Sequence, residues 1–110
     1  MKLPSSPFEV TDWMQEPATQ HLGEQGAALW RTRMMGDVRI RLVEYSADYV
    51  ADHWCDRGHI LFVIRGELIS ELRNGRQHVL GPGMSYHVSD GGDAAHRSMS
   101  PSGATLFIVD

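Results

Sequence analysis

Apolar and polar positions alternate along much of this chain, and the alternation is punctuated by glycine. Val38, Ile40 and Leu42 alternate with Arg39 and Arg41, which predicts a strand with the aliphatic side chains on a dry face and the arginines solvated. In the next candidate strand Tyr49, Ala51, His53 and Cys55 share one face, opposite Val50, Asp52 and Trp54. His59 to Ile64 is apolar on both faces and bounded by Gly58 and Gly66, the pattern of a sandwiched strand. Segments 67–73 and 76–80 flank Asn74-Gly75, a strong hairpin signal. Gly81-Pro82-Gly83 turns the chain into Met84–Val88, where Met84, Tyr86 and Val88 oppose Ser85 and His87, so His87 is expected at solvent or at the mouth of a barrel. Ser89-Asp90-Gly91-Gly92-Asp93 reads as a polar loop before His96, and residues 104–109 close the pattern with another apolar strand. No helical period extends over ten residues, although a helical turn near Pro17–Leu22 fits the local pattern. Many short strands at regular spacing predict an all-β antiparallel sandwich or barrel.

Residues 1–25 differ from the rest. Pro4, Pro7 and Pro17 suit an extended arm, and Phe8, Val10, Trp13 and Met14 are available to anchor it on the domain or on a partner. Residues 26–110 carry the strands. The full length of 110 residues suits one domain. Ten Lys and Arg against 14 Asp and Glu give a formal charge of −4, which argues against nucleic-acid binding and against attachment to an anionic membrane surface. No apolar run is long enough for a membrane-spanning helix. The single cysteine excludes an intrachain disulfide, and with no secretory leader in view the expected setting is the cytoplasm.

Chemistry concentrates in one stretch. His53 and Cys55 are two residues apart on a candidate strand and should project to the same face. Asp56-Arg57-Gly58 can turn the chain so that His59 returns towards them, and His96 can complete the set. Imidazole and thiolate ligate zinc, iron, nickel or copper well, and magnesium or calcium poorly. A divalent transition metal held by His53, Cys55, His59 and His96 is therefore the candidate cofactor, zinc first. Cys55 has two other readings, a small buried hydrophobe or a reactive thiol activated by a cation such as Arg57. Tyr49 shares the ligand face and is a candidate proton donor or substrate-orienting group. His21 and His78 read as surface residues, and Met34, Met35, Met84 and Met99 with Trp30 and Trp54 as core filler.

The spacing His53-x-Cys55-x3-His59-x6-Gly66 resembles the first motif of small cupins, with Cys55 in place of the second histidine and His59 in place of the glutamate. Gly83 followed by His96 resembles the second motif. More narrowly, the chain is similar to the DHCW-motif cupin-fold proteins. The residues carrying that similarity are Tyr45-Ser46, Ala51-Asp52-His53-Trp54-Cys55, Gly58-His59-Ile60, Gly66-Glu67-Leu68, His96-Arg97-Ser98 and the stretch Leu106-Phe107-Ile108-Val109-Asp110. The resemblance implies a cupin barrel over residues 26–110, with the ligand cluster inside. Together with the need to cover exposed strand edges, it implies a homodimer in which the arm supplies the cover.

Two function classes follow. In the first, the protein is a small metal-binding cupin that binds or acts on a small molecule through an open coordination position. In the second, it is a non-catalytic metal or small-ligand sensor whose four ligands form a closed structural site.

Overall fold

A computed structural model describes residues 2–91 and 95–110. The chain is all-β apart from one 3-10 turn at Trp13–Gln15, capped by the Asp12 carboxylate on the Met14 amide. The strands are β1 (Thr19–Leu22), β2 (Ala27–Met35), β3 (Val38–Tyr45), β4 (Tyr49–Val50), β5 (His59–Gly66), β6 (Leu68–Leu72), β7 (Gln77–Leu80), β8 (Ser85–Val88), β9 (His96–Ser100) and β10 (Ala104–Val109). A six-stranded sheet runs β1-β2-β3-β10-β5-β8 and a four-stranded sheet runs β4-β9-β6-β7, with all pairs antiparallel. The two sheets face each other as a jelly-roll sandwich and are not joined into one closed ladder.

Local sequence explains the turns. The hairpin at Asn74-Gly75 joins β6 to β7, with the Gly75 amide donating to the Leu72 carbonyl and Gly75 in the left-handed region at φ 90°. At Gly66, φ is 83° and a side chain would run into the Gly103 carbonyl oxygen, so only glycine fits where β5 meets the turn before β10. The segment expected to allow a helical turn, 17–22, instead supplies β1, because Thr19–Leu22 finds a full register on β2. Of the four expected arm anchors, Trp13 packs edge-on against Phe107, whereas Phe8, Val10 and Met14 are exposed. The polar loop expected at 89–93 lies partly outside the described residues.

The core between the sheets is built from Val43, Leu61, Val63, Leu68, Leu106 and Ile108 with smaller neighbours. Its composition corrects the phase expected for β3. Register pairs Arg41 with Ile108 and Val43 with Leu106, so Arg39, Arg41, Val43 and Tyr45 face inward, while Ile40 and Leu42 pair with Val109 and Phe107 on the outer face. Arg41 is only 6% exposed. Its guanidinium lies over the Trp30 ring, 4.3 Å from the centroid, and reaches the Asp110 carboxylate at 3.3 Å. Arg39 grips the same carboxylate through two hydrogen bonds of 3.0 and 2.8 Å, and Arg57 approaches it at 3.5 Å. The alternation was sound as strand evidence, but a buried counter-ion and an aromatic face reversed which side is wet.

The expectation that β5 is covered on both faces is also revised. Leu61 and Val63 are buried, whereas Ile60, Phe62 and Ile64 remain 50, 42 and 47% exposed on the outer face.

Asp110 Oδ2 is shared by cations whose own burial depends on it, and its side chain is 1% exposed. Burial pushes the Asp110 carboxyl up, but the Arg39 hydrogen bond and the charges of Arg41, Arg39 and Arg57 outweigh this and hold it below the ordinary carboxylate range. Its contribution is therefore complete above the unfolded value of about 3.9 and is lost as pH falls below that value, through the lower folded value. Asp110→Ala should lower unfolding free energy by about 3 kcal/mol at neutral pH, by leaving buried cations unpaired. Urea unfolding at pH 7 and pH 3 checks this: the wild-type–variant gap should narrow at the lower pH, and a constant gap would contradict it.

Candidate metal centre

Cys55 and His96 exchange two backbone hydrogen bonds, of 2.8 and 2.9 Å, and so form an isolated antiparallel bridge between the loop before β5 and the start of β9. That bridge sets the Cys55 thiol beside the His96 ring. His59 enters from the first position of β5, on the same inward face as Leu61 and Val63. The Cys55, His59 and His96 donor atoms all lie within 4.8 Å of one another. The His59 and His96 Nε2 atoms are 3.2 Å apart, and the rings meet edge to face with centroids 4.8 Å apart.

His53 is not part of this cluster. The chain bends at Asp52-His53 rather than continuing β4, so the two-residue alternation that would align His53 with Cys55 does not operate. The His53 side chain is 71% exposed, and its Nδ1 lies 2.6 Å from Asp52 Oδ1. Tyr49 belongs to the hydrophobic core, stacked on Tyr45 with centroids 4.1 Å apart. Burial pushes its hydroxyl pKa far up.

A residue without an assigned role in the sequence reading joins the cluster. The Tyr86 hydroxyl of β8 lies 2.7 Å from His59 Nε2. Strand alternation had put Tyr86 opposite His87, and the structure keeps that phase, with His87 exposed and Tyr86 half-buried. What the sequence lacked was the register: Tyr86 pairs with Leu61 and His59 with Val88, which makes Tyr86 and His59 diagonal neighbours on the inner face. Burial pushes the Tyr86 hydroxyl pKa far above its ordinary value, so it remains a protonated donor at neutral pH.

The shifts at His59 and Cys55 suit metal ligation. The His59 pKa is pushed down to about 4, first by burial and then by the His96 charge, so its imidazole is neutral at pH 7. The Cys55 thiol is held below its ordinary value by hydrogen bonding with His96, against the opposing effect of burial. His59 Nδ1 is buried without a hydrogen-bond partner among the described residues, and the donor facing His96 is the other ring nitrogen, Nε2. Two imidazole nitrogens each about 2.0–2.1 Å from a tetrahedral zinc lie about 3.3–3.4 Å apart, close to the 3.2 Å observed here. The donor set thus fits a transition metal in spacing and in donor type.

In the metal-free protein the His59 ring should titrate near pH 4, against about 6.5 for an unhindered histidine. Because folding favours the neutral ring, its stability contribution is present above about pH 6.5 and declines as pH falls towards the folded value. Long-range ¹H–¹⁵N NMR titration reads this directly, and a midpoint near 6.5 would contradict the described burial.

Comparison with protein-family models finds no match, and comparison with curated proteins finds none. Solved structures do match. An RmlC-like cupin from Shewanella frigidimarina aligns with a TM-score of 0.68 at 18% identity, over 98% of this chain and 92% of its own. A cupin-2 domain containing protein from the same organism gives 0.60 at 20% identity, over 74% of this chain and 78% of its own. Fe(II)-HppE with the alternative substrate (S)-1-HPP gives 0.74 at 13% identity, over 97% of this chain and 62% of its own. At these identities the likeness is one of architecture, and the architecture is the cupin fold.

Proposed function

We propose that this protein is a small metal-binding cupin in which Cys55, His59 and His96 hold a divalent transition metal, zinc first, at a site that binds or transforms a small molecule. The observation that carries the reading is the convergence of one thiol and two imidazoles, their donor atoms within 4.8 Å of one another. Among the described residues the donor set has three members, and three protein donors leave a coordination position for a ligand. With His53 exposed and paired to Asp52, this favours an open site over the non-catalytic alternative, a module closed by four protein ligands. Bound metal would supply Lewis acidity at that position. The Tyr86 hydroxyl lies 2.7 Å from His59 Nε2; a metal on that nitrogen would take its lone pair and leave the hydroxyl free to donate a proton or hydrogen bond to a ligand there, a role that passes to it from the core-buried Tyr49. Fe(II)-bound HppE, with the same fold, supports a transition metal in this architecture. The narrower kinship with DHCW-motif cupin-fold proteins is supported by the placement of Cys55 from Asp52-His53-Trp54-Cys55 in the cluster, and a cytoplasmic setting belongs to the same reading.

A homodimer is part of this proposal. Ile60, Phe62 and Ile64 form a half-exposed apolar row on the outer sheet face, near the Trp13–Phe107 contact, and exposed Phe8 and Val10 lie on the same arm as Trp13. Light scattering should give twice the 12.3 kDa chain mass, and Phe62→Asp should halve it; a monomeric wild type would contradict the dimer.

Elemental analysis of protein purified without added metal should find about one transition-metal ion per chain. Cys55→Ser should weaken zinc binding by about a hundredfold, roughly one donor's share of the apparent binding free energy. His53→Ala should leave metal content unchanged. Affinity should fall with pH as the thiol is reprotonated. Retention of wild-type affinity by Cys55→Ser would contradict the donor assignment, and a fully coordinated metal without an exchangeable ligand would favour the non-catalytic module.

A further inference from the structure

A cavity of about 680 Å³ opens between β7 and β8, with Leu72, Val79, Leu80, Met84 and Val88 on its walls. That volume lies within the usual range for small-molecule sites. Ser70, Tyr86 and His96 also line it, and they join it to the donor cluster. No Asp, Glu, Lys or Arg is among the described lining residues. The walls therefore suit the apolar body of a ligand, and the polar end suits its functional group.

Behind that polar end, charge is out of balance. The Arg39 and Arg41 guanidinium groups share the Asp110 carboxylate, which the solvent-exposed Arg57 also approaches at 3.5 Å. The Arg41 side chain is 7% exposed, and its Nε has no hydrogen-bond partner among the described residues. Arg41 lies on one cross-strand row of the inner face with Ile108, Leu61 and Tyr86. Arg41 thus places positive charge on the inner face whose row ends at Tyr86. A buried cation with incomplete compensation favours an anion brought into its field.

We propose that the cleft between β7 and β8 binds a small carboxylic acid with an apolar body, its carboxylate at the Ser70–Tyr86–His96 end and its body against the aliphatic walls. This assigns a ligand class to the metal centre proposed above and rests on that reading for the metal's part, but the arginine surplus belongs to the chain alone. Selection then has two separable sources, the body through burial in the cleft and the head through charge.

The test is calorimetric titration of the full chain with benzoate, benzyl alcohol and acetate, in chelator-treated protein and again after zinc loading. Benzoate should bind at least about tenfold more tightly than benzyl alcohol, which lacks the charge, and than acetate, which lacks the body, in both forms. Arg41→Met should bring the benzoate to benzyl alcohol ratio towards one. Should that variant not fold, Arg39→Gln serves, because it frees Asp110 to neutralise Arg41 and so should also reduce the ratio. Val79→Asp on the wall should weaken benzoate by at least about tenfold, and Arg76→Gln on the exposed hairpin should change nothing. Equal affinity for benzoate and benzyl alcohol in the wild type, or an unchanged ratio in the folded arginine variants, would overturn the proposal. Benzoate preference without zinc uptake would sink the metal reading alone, whereas zinc uptake without the preference would sink the acid-binding proposal alone.

Discussion

The backbone bridge between Cys55 and His96 is the constraint on which the site depends. Cys55 stands in the loop that leads into β5 of the six-stranded sheet, and His96 opens β9 of the four-stranded sheet. Two hydrogen bonds at this point fix the separation of the sheets where their inner faces carry polar groups. The thiol and both imidazoles converge because the loop is tied there, and the β5–β8 register then brings Tyr86 to His59. Without the bridge, the Cys55 thiol would belong to a free loop.

A second feature explains how so small a sandwich tolerates a polar interior. The lower part of the core is aliphatic, from Leu61, Val63, Leu68 and Leu106. Towards the cluster, Arg41, Ser70 and His96 are buried. Arg41 is accommodated by the Trp30 face and by Asp110, and Arg39 packs over the same indole at 5.2 Å. Buried charge of this kind contributes little net stability compared with an aliphatic substitute. Its presence beside a donor cluster is more readily understood as part of a binding site, where local stability is exchanged for a prepared electrostatic field.

Strand alternation, glycine turns and the Asn74-Gly75 hairpin made the all-β architecture legible, because each is a local signal. Cys55, His59 and His96 were legible by residue type, although the reason given for aligning His53 with Cys55 failed at the bend after β4. The facing of β3 was not legible. Arg39 and Arg41 find their counter-ion at Asp110, 71 and 69 residues away in sequence, and no local periodicity encodes a distant carboxylate. Tyr86 lay between these cases: its face could be read from alternation, but its proximity to His59 required the β5–β8 pairing.

The central claim is that one metal ion takes the Cys55 thiolate together with the His59 and His96 imidazoles. X-ray absorption spectroscopy of the zinc-loaded protein tests it most directly. The expected shell contains one sulfur near about 2.3 Å and nitrogen at about 2.0–2.1 Å, with the sulfur component lost in Cys55→Ser. A shell of nitrogen and oxygen alone in the wild-type protein would contradict it.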